Sequence, residues 1–480
     1  MAEKVSFGAI LDQTLKCLNW VSRMDKRLIV SISGIRGIFG NGLDADVLVR
    51  FTSAYGAWCK RQATRPIIVI GRDGRVTGPL CASIVSSTLR SIGCDVIDIG
   101  LAATPTVEMA VFKERATGGI IVSASHNPEE WNGLKLLNGS GELLSPDEAA
   151  QVIELADQPC RGYVEFDEIG SFREASCLDY HIERILDLSF IDPQQIADQD
   201  FRIVVDGINS VGGIAIPALL RALGVRDDQM VCVNCEPTGR FAHPAEPLSA
   251  NLIDTCKLVL ENEADLGIVV DPDVDRLALI EDGGTYMSEE LTQVLAADFL
   301  WKHRPGAFVT NLSASRAIED VAARYGMDVH RAAVGEINVV VKMHEVNASL
   351  GGEGNGGVIL PDLHHGRDAL VGVAMVLQHM AETNQSLSEL RADLPSYSIV
   401  KLKTEIGSLD PDSLLQSIAE RYSNERTDTT DGVKIDFDEG WVHMRKSNTE
   451  PIIRVYAESE SMEEATALGE RFMRELVVGT

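Results

Sequence analysis

Apolar positions along the chain alternate between helical spacing and short continuous runs. From Phe7 to Val21 the apolar residues keep a helical spacing, which predicts an amphipathic helix. A second helix is indicated between Val47 and Trp58, and the apolar run Ile67–Ile70 that follows it ends at a glycine, as a buried strand does. The rhythm recurs at four further runs: Gly119–Val122, Ile203–Val205, Gly267–Val270 and Ala307–Val309. Such alternation predicts parallel sheets covered by helices.

Polar and proline-containing segments interrupt this rhythm and divide the 480 residues into four predicted units. The units are residues 1–195, 196–304, 305–392 and 393–480. The first three are predicted to be α/β units. The last contains a predicted helix over 410–421, strands at 433–437 and 452–457, and a helix after Ser461, so we expect a small α+β domain. Several domains also fit the length, because single cores stop growing at roughly 250 to 300 residues.

Composition narrows the kind of partner that the surface can bind. The formal net charge of −29 and the pI near 4.7 argue against nucleic acid and anionic membranes, since both need basic patches. No apolar run approaches the roughly 20 residues of a membrane span. The N-terminal stretch lacks the apolar core and cleavage site of a signal peptide. We therefore expect a soluble, cytoplasmic protein that binds phosphate only in a locally basic pocket.

The nine cysteines are scattered and lie mostly in apolar stretches, which predicts reduced core thiols. Cys232 and Cys235 form a C-x-x-C pair in a strand-like segment. No second pair lies nearby, as a zinc ribbon would require. Ordinary packing is therefore preferred over a metal or redox role for this pair.

Three aspartates follow one of the apolar runs. The segment Ile268–Arg276 reads IVVDPDVDR and places Asp271, Asp273 and Asp275 at alternating positions. Three converging carboxylates repel one another unless a cation binds them, and a hard oxygen ligand set beside a phosphate suits Mg²⁺. An acidic turn is the plainer alternative. We favour a metal site, with Arg276 as a partner of phosphate or of the carboxylates.

A second polar cluster also follows an apolar run. The segment Ser123–Lys135 reads SASHNPEEWNGLK, and Ser125 stands among small residues with His126 and Asn127 beside it. Its hydroxyl is expected at the carboxyl edge of a sheet, where ligands bind in α/β folds. A polar turn that ends at Pro128 explains this segment equally well.

Two later segments carry further binding chemistry. The segment Gly351–Gly357 reads GGEGNGG and puts Glu353 in a glycine-rich loop suited to hydrogen bonds with sugar hydroxyls. The segment Met444–Arg454 reads MRKSNTEPIIR, in which hydroxyls, amides and two guanidinium groups form a possible phosphate cradle. The residues of that cradle are Arg445, Ser447, Asn448, Thr449 and Arg454. A flexible turn and a solvated hairpin are the alternatives.

With these four segments in this order, the chain resembles the α-D-phosphohexomutase superfamily, from about Ile32 to about Ala457. The superfamily comprises phosphoglucomutases, phosphomannomutases and phosphoglucosamine mutases. The residues that match its motifs are Ser125, His126, Asn127, Pro128, Asn132, Gly133 and Lys135 in the phosphoserine loop; Asp271, Asp273, Asp275 and Arg276 in the metal loop; Glu353 in the sugar loop; and Arg445, Ser447, Thr449, Glu450 and Pro451 in the phosphate loop. Weaker likeness comes from the segments SGIRG with Arg36, GRDGRVTG from Gly71, and AAVGE from Ala332.

The resemblance implies a heart-shaped α/β enzyme of three related α/β domains, with mixed or parallel sheets, and a smaller C-terminal α+β domain around a central cleft. It implies that phosphorylated Ser125 converts hexose 6-phosphate and hexose 1-phosphate into one another through a hexose 1,6-bisphosphate, which also serves as activator. Mg²⁺ would be held by Ser125 and the three aspartates. Lys135, His126, Arg36 and Arg276 would handle protons and charge, while Glu353, Asn355 and the phosphate loop bind the substrate.

Two departures from the family pattern bear on the substrate. Asn355 and two glycines follow Gly354 where many members have a serine, a glycine and a histidine, so His364 or His365 is a candidate replacement. Asn448 stands where a glycine is common. Together with Arg367 and Asp368 these features resemble the archaeal-type phosphoglucosamine mutase branch, with phosphomannomutase or phosphoglucomutase activity as the alternative. The sequence leaves open whether the protein is a monomer or a homodimer.

Two rival functions use the same residues differently. In one, Asp271 is the nucleophile of a phosphatase similar to the haloacid-dehalogenase type, and water releases the phosphate. That interpretation leaves the clusters around Ser125, Glu353 and Arg445 unexplained. In the other, the loops bind a sugar phosphate without transferring it, as in a sensor. The presence of Ser125, Lys135 and all three aspartates argues against a sensor.

Overall fold

The computed structural model describes residues 28–158, 162–405, 410–446 and 452–478. The helix predicted over Phe7–Val21 lies outside these residues. Four sheets follow one another along the chain, and each of the first three has parallel strands at its centre and an antiparallel strand beside them. This confirms the predicted architecture of α/β units followed by a smaller α+β domain.

The first sheet has eight strands in the order β1-β2-β7-β6-β4-β5-β8, with β3 paired to β2. Its strands are β1 Leu28–Ser31, β2 Gly34–Phe39, β3 Gly42–Leu43, β4 Ile67–Arg72, β5 Asp95–Leu101, β6 Gly118–Val122, β7 Trp131–Leu137 and β8 Phe172–Glu174. Strands β6, β4, β5 and β8 are parallel, whereas β7 runs antiparallel to β6. The chain therefore reverses directly between β6 and β7.

The second and third sheets repeat this arrangement on a smaller scale. The second has the order β10-β9-β11-β12-β13, and the third has the order β15-β14-β16-β17. Their strands are β9 Ile203–Asp206, β10 Met230–Val233, β11 Leu266–Val270, β12 Leu277–Glu281, β13 Tyr286–Met287, β14 Phe308–Asn311, β15 Val329–Ala332, β16 Leu350–Glu353 and β17 Gly357–Ile359. The pairs β11–β12 and β16–β17 are antiparallel, as β6–β7 is in the first sheet. In each of the three sheets the chain thus turns back directly from the last parallel strand into an antiparallel neighbour.

The fourth sheet is antiparallel throughout, in the order β18-β22-β21-β20-β19. Its strands are β18 Ser398–Glu405, β19 Arg426–Asp428, β20 Val433–Asp436, β21 Gly440–Lys446 and β22 Ile452–Ser459. It has an apolar core of its own, in which Ile435, Val442 and Val455 pack against Phe472. A single larger core instead joins the first three sheets. The fourth domain is therefore a separately packed unit.

Helices cover the sheets at the places that the apolar spacing indicates. They are α1 Ala45–Cys59, α2 Gly78–Ser91, α3 Thr104–Glu114, α4 Pro146–Ala156, α5 Leu178–Leu186, α6 Pro193–Ala197, α7 Gly212–Ala222, α8 Ile253–Glu261, α9 Glu289–His303, α10 Ala317–Tyr325, α11 Glu336–Val346, α12 Ala369–Thr383, α13 Leu387–Ala392, α14 Pro411–Arg421 and α15 Met462–Val478. The carboxylate of Asp44 caps α1 by accepting from Val47 N. Within the described residues, no helix is long and apolar enough to cross a membrane.

Helix α9 lies between the second and third sheets. Thr292 Oγ1 donates to Leu277 O on β12 at 3.1 Å, and Thr310 Oγ1 on β14 donates to Gln293 Oε1 at 2.9 Å. The division proposed at residue 304 therefore falls after a helix that contacts both neighbouring units.

The prediction of core thiols is correct for only part of the cysteines. Cys59, Cys81, Cys94 and Cys177 are buried. Cys232 is exposed, because it lies on β10, the edge strand of the second sheet. Its accessibility was not apparent from the apolar segment in which it stands.

Candidate active site

The three equivalent strand reversals carry three of the predicted motifs. Ser125 lies between β6 and β7, the three aspartates lie between β11 and β12, and Glu353 is the last residue of β16. Because the first strand of each pair is parallel to the neighbour on its other side, each loop starts at the carboxyl edge of the parallel part of its sheet. The fold therefore brings the loops together from segments more than 75 residues apart, as the contacts below demonstrate.

Arg75 holds the loop of Ser125 in place. Its guanidinium group donates to Ser125 O at 2.5 Å, to Asn127 O at 2.7 Å and to Trp131 O at 2.9 Å, and it pairs with Asp73 Oδ2 at 2.9 Å. Arg75 and Asp73 are fully buried. Ser125 itself has a φ of 49°, in the left-handed region that non-glycine residues rarely adopt. The bonds to Arg75 fix this unusual backbone conformation.

The hydroxyl of Ser125 faces the metal loop. Its Oγ donates to Asp271 Oδ2 at 3.1 Å and lies 3.3 Å from His126 Nδ1. The side chain is almost entirely buried, whereas His126 is partly exposed and lines the adjoining cavity. A nucleophilic hydroxyl, a carboxylate and an imidazole thus meet at one point.

Lys135 and Thr104 hold two of the three aspartates. Lys135 Nζ lies 2.7 Å from Asp273 Oδ2 and 2.8 Å from Asp275 Oδ2. Thr104 at the start of α3 donates to Asp273 Oδ2 at 2.7 Å. Burial disfavours the charge on Lys135, but the two carboxylates outweigh it and raise the pKa of Lys135 above its ordinary value. Lys135 is therefore a fixed positive charge.

The aspartates are suited to a divalent cation. One carboxylate oxygen from each of Asp271, Asp273 and Asp275 lies within 4.8 Å of the others, and all three side chains are fully buried. In the described part of the chain, Asp273 Oδ1 and Asp275 Oδ1 are buried without a hydrogen-bond partner. Burial, followed by repulsion from the other two carboxylates, raises the pKa of Asp271 well above its usual range. A hard cation such as Mg²⁺ would satisfy the free oxygens and relieve the repulsion.

Three further predicted residues surround this centre. Arg276 donates its backbone N–H to Asp271 Oδ1 at 3.2 Å and its guanidinium to Glu246 Oε1 at 3.0 Å. Arg36 is close enough to Asp273 and Asp275 for their charges to oppose the lowering of its pKa by burial. Burial, together with the charges of Arg276 and Arg36, holds the pKa of His126 well below its ordinary value. His126 is therefore neutral.

The sugar-loop residues join the metal loop through Arg367. Glu353 is buried, and its Oε2 accepts from Arg367 Nη1 at 2.9 Å and from Asn355 at 3.3 Å. Nη2 of the same guanidinium donates to Asp275 Oδ2 at 2.8 Å. Glu353 Oε1 accepts from Asn311 at 3.0 Å. Arg367 thus links the metal loop to the sugar loop.

The fourth domain supplies arginines at the other side of the cavity. Arg445 on β21 and Arg454 on β22 are directly opposite each other in the antiparallel register. Like charges in that position repel, so an anion between them would be stabilising. Within the described residues, Arg445 Nε is buried and has no hydrogen-bond partner. Ser447, Asn448 and Thr449 of the predicted cradle lie outside the described residues.

A cavity of about 390 Å³ lies between these groups, and we call it the central cleft. Six predicted residues line it, namely His126, Arg276, Glu353, Asn355, Arg445 and Arg454. Glu246, Glu289, Glu290 and Lys401 add charge to its wall. The volume is in the lower part of the range of small-molecule sites.

Neither candidate replacement for the missing loop histidine contacts Glu353. His364 is buried between Glu108 and Asp368, with nitrogen to oxygen distances of 2.9 and 3.3 Å. His365 lies 3.4 Å from Glu142 and stacks on His344. In the described structure Arg367 and Asn355 contact Glu353 instead.

Sequence reasoning did not assign Arg75, Thr104 and Arg367 to the site, nor the charged residues of the cleft wall, which are Glu246, Glu289, Glu290 and Lys401. Each of the first three acts through a contact with a distant segment, as between Thr104 and Asp273, which are 169 positions apart. The segment GRDGRVTG, which contains Arg75, was the available signal, and Arg367 was noted without a role.

Four family models match successive parts of the chain. They describe phosphoglucomutase/phosphomannomutase domain I at residues 27–159, domain II at 179–284, domain III at 288–397 and the C-terminal domain at 401–475. The chain belongs to the phosphoglucomutase/phosphomannomutase family. The resemblance to the phosphohexomutases is thereby confirmed.

Curated relatives of this family member cover nearly the whole chain. A phosphoglucomutase/phosphomannomutase of Thermococcus kodakarensis is 36% identical over 93% of this chain and 98% of that protein. A phosphoglucosamine/phosphogalactosamine mutase of Sulfurisphaera tokodaii is 30% identical over 89% of this chain and 94% of its own. A Methanopyrus kandleri protein named as a probable phosphoglucosamine mutase is 34% identical over 92% of this chain and 96% of that protein.

Solved structures of the family share the fold. A phosphoglucomutase/phosphomannomutase family protein from Burkholderia thailandensis superimposes with a TM-score of 0.79 at 25% identity, over 93% of this chain and 98% of that one. An N-acetylphosphoglucosamine mutase from Aspergillus fumigatus was solved with GlcNAc-6P and magnesium. It superimposes with a TM-score of 0.56 at 15% identity, over 93% of this chain and 95% of that one. The second likeness concerns the fold alone.

Proposed function

We propose that this phosphohexomutase moves a phosphoryl group between the 6 and 1 positions of a hexose phosphate by way of phosphorylated Ser125. The observation that carries the proposal is the contact of Ser125 Oγ with Asp271 at 3.1 Å, beside two buried aspartate oxygens that have no hydrogen-bond partner among the described residues. A hydroxyl held against a metal-type carboxylate cluster, at the edge of a cavity with arginines opposite, suits phosphoryl storage and transfer.

The proposed reaction has two balanced transfers. In the first, the bond between Ser125 Oγ and phosphorus breaks, a bond forms from phosphorus to a sugar hydroxyl oxygen, and that hydroxyl loses its proton. Ser125 Oγ, the leaving oxygen, takes up that proton, and His126 is the proposed relay, because its Nδ1 lies 3.3 Å from Ser125 Oγ and it lines the central cleft. In the second transfer, after the hexose 1,6-bisphosphate has turned round, its other phosphoryl group returns to Ser125.

The remaining residues bind and orient. Asp271, Asp273, Asp275 and an oxygen on Ser125 would hold Mg²⁺, which offsets negative charge on the transferring group when it is bound. Lys135 and Arg276 would supply fixed positive charge beside it, with Arg36. Glu353 and Asn355 would bind sugar hydroxyls, and Arg445 and Arg454 would hold the phosphate that does not react. A hexose 1,6-bisphosphate would restore the phosphoserine whenever it is lost.

Glucosamine phosphate is the proposed substrate. The central cleft carries Glu246, Glu289 and Glu290 in addition to Glu353, and carboxylates suit an ammonium group at C2. Glu290 is close to the sugar loop, since a Cβ on Gly354 would come within 1.8 Å of Glu290 Oε2. The phosphoglucosamine mutases among the relatives support the same choice. Glucose and mannose phosphates are the alternatives.

A cytoplasmic location belongs to the same proposal. The described residues contain seven cysteines, and all seven are free. Reduced thiols are typical of a reducing compartment.

A magnesium-dependent mutase assay, started with a hexose 1,6-bisphosphate, tests both parts of the proposal. The substrates are the 6-phosphates of glucosamine, glucose, mannose and N-acetylglucosamine. We expect the largest kcat/KM with glucosamine 6-phosphate and no isomerisation by Ser125→Ala. Ser140→Ala is the matched control, because Ser140 is exposed in the turn after β7. Release of inorganic phosphate without isomerisation would instead favour a phosphatase, and binding without turnover would favour a sensor.

A further inference from the structure

Two histidines and a glutamate meet at the surface where the first domain adjoins the third. Glu142 follows β7 in the first domain, His344 lies near the end of α11, and His365 lies in the loop before α12. His344 Nε2 is 2.9 Å from Glu142 Oε1, and His365 Nδ1 is 3.4 Å from the same oxygen. One carboxylate oxygen therefore faces two imidazole nitrogens from another domain.

The geometry of this group is close to that of a metal site. Ligand atoms of all three side chains lie within 4.8 Å of one another. Ligands of a tetrahedral zinc ion, with bonds of about 2.0 to 2.2 Å, lie about 3.3 to 3.6 Å apart, which is close to the 2.9 and 3.4 Å between the imidazole nitrogens and Glu142 Oε1. Small side-chain rotations therefore suffice to close the group around an ion.

The two imidazoles are prepared to act as ligands. Their ring centroids are 4.1 Å apart with an angle of 32° between the planes. Two imidazolium ions would repel in this stack. A metal ion that binds both rings in their neutral form would remove this repulsion.

The group is also open to solvent. The side chain of His344 is 48% exposed and that of His365 is 25% exposed, so water can occupy a fourth ligand position. The formal charge of −29 also attracts cations to the surface. Imidazole and carboxylate ligands select a borderline ion such as Zn²⁺ over Mg²⁺.

A second group of possible ligands, which is buried, already has protein partners. His181, His364 and Asp368 also lie within 4.8 Å of one another, but their atoms have neighbours of their own. His181 bonds Thr106 and Asp368, and His364 lies between Asp368 and Glu108. That group is accounted for as an interdomain network of hydrogen bonds and ion pairs.

We propose that Glu142, His344 and His365 form a binding site for Zn²⁺ or a similar divalent transition-metal ion, distinct from the aspartate centre, which joins the first and third domains. Bound metal would stabilise the contact between the two domains without contacting the central cleft. The proposal is independent of the reaction assigned to Ser125.

Calorimetric titration with Zn²⁺ tests this site, with excess Mg²⁺ present to keep the aspartate centre filled. We expect the parent to bind one ion per chain more than Glu142→Gln, His344→Gln or His365→Gln does, or to bind it at least about tenfold more tightly. Cys232→Ser is the matched control, because Cys232 is an exposed thiol beside Cys235 in the second domain. It should bind as the parent does.

The spectrum of the Co²⁺ form gives a second measurement that does not depend on activity. Nitrogen and oxygen ligands produce visible d–d bands without a thiolate charge-transfer band, and those bands should vanish in the three variants. Circular dichroism and mutase turnover would report intact folding, since none of the three residues lines the central cleft. Equal Zn²⁺ binding by parent and variants, a thiolate band, or no binding by the parent would each overturn the proposal.

Discussion

The two ends of the central cleft are built in opposite ways. At the end with Ser125, the side chains are buried and bonded to one another across three domains, as Lys135 is to Asp273 and Asp275. At the other end, Arg445 and Arg454 are partly exposed on a domain with its own apolar core, and they face each other as like charges. The first end is held by bonds among protein groups, whereas the two arginines of the second end repel each other unless an anion lies between them. We therefore expect changes at the first end to lower kcat and changes at the second to raise KM.

The largest effect is expected from Asp275→Asn. The change removes a proposed metal ligand and weakens the bonds of Asp275 Oδ2 to Lys135 and Arg367. Loss of several kcal/mol of charge stabilisation corresponds to a fall of about 1000-fold in kcat. Asp254→Asn, at an exposed carboxylate, is the control. Initial rates over a range of Mg²⁺ concentrations measure both, and a normal kcat with an unchanged Mg²⁺ requirement would remove Asp275 from the proposed centre.

Arg75→Met tests whether catalysis at the first end depends on the fixed position of the loop of Ser125. Loss of the guanidinium leaves Asp73 buried without a counterion and frees the carbonyls of Ser125 and Asn127. A displacement of about 1 Å can cost roughly 100-fold in rate, so kcat should fall by that factor with KM nearly unchanged. Arg72→Met, at a partly buried arginine three positions earlier, should have little effect.

Arg75→Met should also lower the free energy of unfolding. Removing one partner of a buried ion pair costs about 3 to 5 kcal/mol, which urea unfolding would detect. Arg75→Lys keeps the charge but cannot reproduce the fork of bonds, so it should fold better than Arg75→Met and remain slow. If Arg75→Lys matched the parent in kcat, the loop would not depend on these bonds.

Arg445→Met tests the second end. The proposed phosphate contact is a charge-assisted hydrogen bond worth about 1.5 to 3 kcal/mol, so KM for the hexose phosphate should rise about 10-fold to 100-fold with a smaller change in kcat. Repulsion of Arg454 is also relieved, which should leave the stability unchanged or slightly higher. Arg426→Met, at an exposed arginine of the same sheet, is the control. A fall in kcat without a change in KM would contradict the proposed difference between the two ends.

The sequence identifies those parts of the site that are contiguous runs at the end of a strand. Ser125 and the aspartates of the metal loop follow strands that apolar runs indicate, whereas Glu353 is marked only by its glycine-rich segment. Arg75, Thr104 and Arg367 could not be assigned, because their partners lie in other segments and only the packing of the sheets brings them together. The same reason explains why His364 was wrongly considered as a replacement for the missing loop histidine. It is close to the sugar loop in sequence, but in the fold it contacts Glu108 and does not line the cleft.

The smallest effect on catalysis is expected from His364→Gln, which acts on the contact between the first and third domains behind the site. His364 is buried between Glu108 and Asp368, and the variant removes the cation between them, so that Asp368 keeps only its contact with His181. The cost in stability should be about 3 to 5 kcal/mol, with kcat changed only slightly. His303→Gln, at a partly exposed histidine paired with Glu382, should cost about 1 kcal/mol or less.

The pH dependence distinguishes this ion pair from simple packing. Burial opposes the charge on His364, but bonds to Asp368 and Glu108 prevail and raise its pKa to about 10. A raised folded-state pKa contributes stability that is complete below the unfolded value of about 6.5 and is lost as pH rises through the folded value. Because burial raises the pKa of Glu108 to about 7, the comparison is made above that value, and the stability difference between parent and His364→Gln, measured by urea unfolding, should decrease as pH rises from about 7 to about 10. A difference that stays constant over this range would mean that His364 contributes only its packing, and that the rigidity of the first end rests on the bonds of Arg75, Lys135 and Arg367 alone.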